Sequence, residues 1–360
     1  MSSTIPVAVP SLASATAPLA ALSGAAEIEE PVRRRRRGAP SADTMQALAA
    51  EAAVDARLFR EMVVEAETHV DLPKLRRSSR AGVPASTRAH VWPYLLGVWA
   101  PEKFNEVTAR RGLQEEYSKV LGRSLDVVGA NGSGIDSDVA RRVRSELNRR
   151  ASRDTTQVVR PERFWDVARV VAAQLWTADE EAADDEDTTS YEFSPGMVSL
   201  ASQMVGVCLT EVEAYHCYAS LMRRHQHLFT SSGLADATGR FLMLFRVLLP
   251  EVYDAFESEE VDARAWLPAW LQGLLARQLP LECSRRLWDT YLAGLDVEGE
   301  GLDLHPYVCL AILDCLQEQL QEVEAPEMLA VLAHLPELDI DQCITRACNY
   351  RDDVKGRGLL

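Results

Sequence analysis

The run Val143-Arg144-Ser145-Glu146-Leu147-Asn148-Arg149 sets an acid three residues before an arginine. On a helix those two positions share a face, so the Glu146 carboxylate can brace the Arg149 guanidinium. An isolated helix arginine is nearly always a surface residue, so Arg149 gains meaning only from its context. Arg142, Arg144 and Arg150 lie close enough in sequence to compete for any role it has. A second run, Phe193-Ser194-Pro195-Gly196-Met197, centres on a proline. Proline has no side-chain amide and no backbone N–H, so position 195 offers no donor.

Other catalytic signatures are missing. The sequence holds no P-loop, no His-Glu-x-x-His, no Gly-x-Ser-x-Gly and no dinucleotide fingerprint. The 7 histidines are scattered, and His225 and His227 are two apart in a helical pattern, which points them in different directions. The 7 cysteines form no Cys-x-x-Cys pair and sit within apolar or helical patterns, so free buried thiols are expected rather than disulfides or a metal site. A formal net charge of -16 gives no concentrated basic face for nucleic acid. No apolar run is long enough to span a membrane, and Met1 to Ala26 does not read as a secretory signal.

The elements that must position these runs read as helices throughout. With 360 residues the chain can bury a substantial core without staples. Residues 1–40 are Ala/Ser/Pro-rich and then carry Arg33 to Arg37, and they read as a disordered tail. Residues 41–71 read as an N-terminal helix capped by Ser41 or Asp43. Asp126 to Asp138 is expected to be a loop, Val139 to Arg150 a helix, and the acidic Asp179 to Asp187 stretch an exposed loop. Apolar helical patterns follow at Met197–Cys208, Glu211–Phe229, Ala237–Leu249, Asp262–Ala276, Leu281–Ala293, Pro306–Leu320, Glu327–Leu332 and Ile340–Tyr350, with a break expected at Gly233. Residues 351–360 read as a C-terminal tail. No strand alternation stands out, so the fold class is all-α.

Four blocks, in order, resemble the signatures of the TBC domain, the helical domain that stimulates GTP hydrolysis by Rab GTPases. The first is Arg80-Ala81-Gly82-Val83-Pro84 with Arg88 and Trp92, similar to the family's opening Arg-x-Gly-Ile-Pro motif. Gly82 and Pro84 suit a turn, with Pro84 where a helix can start. The second is Val143 to Arg149, similar to Ile-x-x-Asp-x-x-Arg. The third is Phe193 to Met197, similar to Tyr-x-Gln-Gly-Met. The fourth is Trp270, Leu279-Pro280 and Arg286-Leu287-Trp288-Asp289, with Asp289 expected to pair with Arg285 or Arg286.

The resemblance implies a multi-helix TBC domain over residues 72–350. It implies a Rab-family GTPase as partner and Arg149 as an arginine finger supplied in trans, braced by Glu146 beside Val143. It also implies that Pro195 replaces the glutamine that positions the attacking water, while Phe193, Gly196 and Met197 keep the loop. Arg80, Gly82, Pro84, Arg88, Trp92, Trp270, Pro280, Arg286, Trp288 and Asp289 would be fold residues. No cofactor of its own is expected, because GTP and Mg²⁺ belong to the partner. A cytoplasmic location with peripheral recruitment to endomembranes is expected, and nucleic acid is not. The alternative implied by Pro195 is a catalytically inactive Rab-binding scaffold.

Overall fold

The computed structural model describes residues 55–127, 137–151, 159–184 and 193–358. The tail read over residues 1–40 and the start of the helix expected from Ser41 lie outside the described residues. So does most of the loop expected after Asp126.

Helices account for the described chain: α1 (55–63), α2 (Leu72–Ser79), α3 (Arg88–Leu95), α4 (Glu106–Val127), α5 (Ser137–Ala151), α6 (Phe164–Asp184), α7 (Pro195–Val207), α8 (Glu211–His225), α9 (Ser231–Leu248), α10 (Pro250–Ser258), α11 (Leu267–Gly273), α12 (Leu281–Ala293), α13 (His305–Cys315), α14 (Gln317–Gln321), α15 (Ala325–Ala333) and α16 (Ile340–Arg357). Among the described residues the sole β-type pairing is an isolated bridge between His69 and Glu102. No described helix is long and apolar enough to cross a membrane.

Local chemistry explains many of the helix starts. Thr210 and Glu213 form a reciprocal capping box at α8. Ser194, Thr230 and Asp339 each accept a first-turn backbone N–H. Pro195, Pro250 and Pro306 fall in first turns, where a missing N–H costs nothing.

Several boundaries differ from the sequence reading. The acidic stretch continues α6 through Asp184, because its Glu and Ala residues are good helix formers. Gly233 lies inside the first turn of α9, where its N–H donates to the Thr230 cap. The pattern read as a helix over Asp262–Ala276 breaks at Gly273, followed by left-handed Leu274 (φ 48°) and Leu275 (φ 59°). Helix α1 ends at residue 63, short of the expected residue 71. Helix α16 runs to Arg357, through residues read as a tail, and closes on left-handed Gly358. Helix α3 starts at Arg88 rather than Pro84, whose carbonyl instead accepts from Thr87 in a turn.

Helix α6 packs against α4, α5, α7 and α8, while α13 and α16 pair closely. The largest fully buried side chains include Trp92, Trp270 and Trp288. The first and fourth sequence blocks meet at Asp289, which is wholly buried. Its carboxylate accepts from Val83 N–H (2.9 Å), Trp92 Nε1–H (2.8 Å) and the Arg88 guanidinium (3.1 Å from Nη2). Arg88 is therefore its partner, not Arg285 or Arg286. Arg285 reaches Glu282, and Arg286 pairs with Asp341 and donates to Thr290 and the Arg80 carbonyl. Burial pushes the Asp289 carboxyl above the usual range, opposed by Arg88 and the two N–H donors. Gly82 (φ 111°) is needed here, since a Cβ would stand 2.9 Å from Arg286 Cδ.

The indoles of Trp92 and Trp288 stack at 6.0 Å. Trp288 Nε1–H donates to the Leu274 carbonyl (3.1 Å), and Trp270 Nε1–H to the Leu332 carbonyl (2.9 Å). Pro280 occupies the position just before α12. These residues hold the frame on which the candidate site is mounted.

Candidate functional site: a braced arginine beside a proline-started helix

Helix α5 carries the basic run, and the structure sorts its arginines. Arg142 pairs with Asp138 (2.7 Å) and lies over the Phe193 ring (5.7 Å). Arg144 lies over Phe164 and Trp165 (5.4 and 5.5 Å), on another face. Arg149 pairs with Glu146 at 2.7 Å, as the i, i+3 spacing requires. The side chain of Arg150 lies outside the described residues.

Glu146 is the unusual member. Its side chain is 1% exposed, while that of Arg149 is 54% exposed. One carboxylate oxygen takes Arg149; the other takes Arg277 at 3.2 Å. Burying a carboxylate is costly unless it is paired, and two guanidinium groups answer that cost here. Val143, one turn earlier, is fully buried and anchors the helix. Arg142, Glu146 and Arg149 follow the i, i+4, i+7 spacing of one helix face.

The second run begins α7, which packs against α5. Pro195 is its first residue and is exposed; Gly196 and Met197 are buried. Ser194 caps the helix by accepting from Gly196 N–H (3.3 Å) and donates its own hydroxyl to Gln272 Oε1 (2.9 Å). Gln272 in turn donates to the Leu228 carbonyl (2.8 Å). Gly196 is required because a Cβ would meet Gln272 Cβ at 2.9 Å and the Phe229 ring at 3.3 Å. Behind this layer His225 Nε2–H donates to the Gln272 carbonyl (3.2 Å). Burial, with His305 nearby, lowers the His225 imidazole to about 3, so it stays neutral.

The sequence reading missed two residues of this arrangement, Gln272 and Arg277. Gln272 lies in the last turn of α11 and holds the Ser194 loop; Arg277 follows the left-handed turn and holds Glu146. Neither pairing has a local sequence signal, because both join segments far apart in the chain. Among the described residues no cluster of His, Cys, Asp and Glu could hold a metal ion.

Comparison with known proteins bears on the whole arrangement. Residues 186–321 match the family model described as the Rab-GTPase-TBC domain. The chain is 23% identical over 321 residues to human TBC1 domain family member 22A, covering 82% of this chain and 59% of that protein. It is 24% identical over 290 residues to the GTPase-activating protein gyp1 of Schizosaccharomyces pombe, covering 75% of this chain and 55% of that protein. The chain thus spans somewhat more than half the length of these relatives. The crystal structure of the Ypt/Rab-GAP domain of Gyp1p superposes with a TM-score of 0.65 at 17% identity, covering 84% of this chain and 98% of that one. A Chlamydomonas flagellar RabGAP TBC domain superposes with a TM-score of 0.60 at 16% identity, covering 87% and 96%. The family model, the curated relatives and the shared helical fold agree: this chain carries a TBC-type domain.

Proposed function

We propose that the chain is a GTPase-activating protein for a Rab-family small GTPase and that Arg149 is the finger it inserts in trans. Phosphoryl transfer needs positioning and charge stabilisation more than covalent chemistry from the activator. A guanidinium suits that task because it stays charged and presents its donors as a rigid fork. The observation that carries the reading is the half-exposed Arg149 held by a buried Glu146, on the α5 face where Arg142 meets Phe193. GTP and Mg²⁺ belong to the partner, and the reaction proceeds cytoplasmically at an endomembrane surface.

Pro195 sets the scale of the activity. Its exposed ring presents no donor where the resemblance expects a glutamine, and Gln272 behind it is bonded at both ends of its amide. Water positioning then falls to the GTPase's own glutamine, and hydrolysis is accelerated by charge stabilisation alone. A second reading, a Rab-binding scaffold without catalysis, is favoured by the same proline.

Single-turnover GTP hydrolysis on a Rab panel separates the two. Stimulation by the wild-type chain that disappears in Arg149→Ala is the expected result. Absence of stimulation on every Rab tested favours the scaffold, and stimulation that survives Arg149→Ala removes Arg149 from the role.

A further inference from the structure

We propose that Arg277 is a positioning residue that aims Arg149 through the shared Glu146 carboxylate. The inference rests on the activator reading above and adds to it a second arginine that never touches the nucleotide.

Glu146 has two oxygens and one rotatable carboxylate. A cation on each oxygen resists the rotation of the carboxylate that would carry Arg149 with it. Arg277 on the other oxygen at 3.2 Å fixes the plane, so Oε2 faces one direction. Arg277 is itself well covered, with 26% of its side chain exposed, whereas Arg149 is 54% exposed. One guanidinium is thus built into the wall, and the other projects from it.

The backbone that delivers Arg277 is strained. Leu274 and Leu275 both adopt the left-handed region, at φ 48° and 59°, and neither is glycine. Such residues are strained and persist where surrounding structure holds them. Here the hold is visible: both leucines are buried, and the Leu274 carbonyl accepts from Trp288 Nε1–H. The turn follows immediately after α11, so that Gln272 before it accepts a hydrogen bond from Ser194 and Arg277 after it forms an ion pair with Glu146. The end of α11 therefore braces the finger and the start of α7 together.

The test is single-turnover hydrolysis over a range of chain concentrations, with a Rab that the wild type stimulates. A misplacement of about an ångström can cost up to ~100-fold in rate. R277A is expected to lower the saturating rate about tenfold or more while the half-saturating concentration holds. R277K, which restores a charge to Glu146, should recover part of the rate. R277Q keeps the stem length and carries the same expectation as R277A if R277A does not fold. An unchanged saturating rate, or a loss confined to the half-saturating concentration, overturns the inference. A second readout needs no GTPase: the Arg149 Nε–Hε resonance of the ¹⁵N-labelled full chain, assigned by its loss in R149A. Faster exchange of that proton with water in R277A supports the brace; an unmoved resonance overturns it. Failure of the wild type to stimulate any Rab sinks the activator reading, and the resonance still decides the brace.

Discussion

Glu146, buried to 1% exposure, holds Arg149 at 2.7 Å with Oε2 and Arg277 at 3.2 Å with Oε1. A surface ion pair would be worth little, since water competes for both partners. A buried carboxylate between two guanidinium groups is different, because its orientation is set by the wall. Arg149→Lys tests whether the fork or only the charge matters. Lysine keeps a cation near Glu146 but loses the planar fork. The Tm should stay close to wild type, while the stimulated hydrolysis rate should fall by about tenfold or more, measured in single turnovers. Retained activity would show that charge alone suffices.

Pro195→Gln supplies the amide that the proposed mechanism lacks. The helix start tolerates the change, because the first-turn N–H of α7 has no intrahelical partner in any case. The loss of proline should cost about 1 kcal/mol or less, mainly through the unfolded chain. The hydrolysis rate should rise if only the amide is lacking. An unchanged rate, with the variant folded by circular dichroism, would point to a remodelled surface around residues 193–197.

Arg88→Ala should be among the most damaging substitutions in the chain. It strips the buried Asp289 carboxylate of its cation and leaves it two N–H donors, those of Val83 and Trp92. Breaking a buried pair from one side typically costs about 3–5 kcal/mol. Chemical denaturation should show that loss. It should shrink in the double variant Arg88→Ala/Asp289→Asn, in which no charge is stranded.

Two buried histidines predict an acid limit to stability. Burial lowers His225 to about 3 and His305 to about 4. His305 is satisfied while neutral: Nε2–H donates to the Trp270 carbonyl (3.0 Å), and Nδ1 accepts from Tyr291 O–H (2.8 Å). Unfolded histidine titrates near 6.5, so between about pH 6.5 and 4 the unfolded state binds protons that the folded state refuses. Stability is full above that window and falls as pH drops through it, by up to about 1.4 kcal/mol per pH unit for each histidine. Urea midpoints measured from pH 7 to pH 4.5 should decline, and less steeply in His305→Gln. A flat profile would contradict the neutral assignment.

The helices were legible because apolar stripes at 3.6-residue spacing say so locally. Their ends were less so. Gly233 reads as a breaker, yet its N–H is what the Thr230 cap needs. The acidic stretch after Asp179 reads as solvated loop, yet Glu180 stays on α6 and pairs with Arg123 (3.3 Å). The i, i+3 pairing of Glu146 with Arg149 could be read from spacing alone. Arg277 and Gln272 could not, since their partners are set by how helices pack and no periodicity records that. The expectation that Asp289 would pair with a neighbour on its own helix failed for the same reason: its side chain points inward, toward α3.

Asp289 also bears on where this domain can be cut. The segment 186–321 is recognisable by sequence alone. Every group that satisfies the Asp289 carboxylate, namely Val83, Arg88 and Trp92, lies before it. A fragment cut to those bounds would lose the segment that covers Asp289, leaving the carboxylate and the apolar surface around it open to water. Recognisability and burial part company here: a piece that keeps this carboxylate covered and paired must begin upstream of Val83.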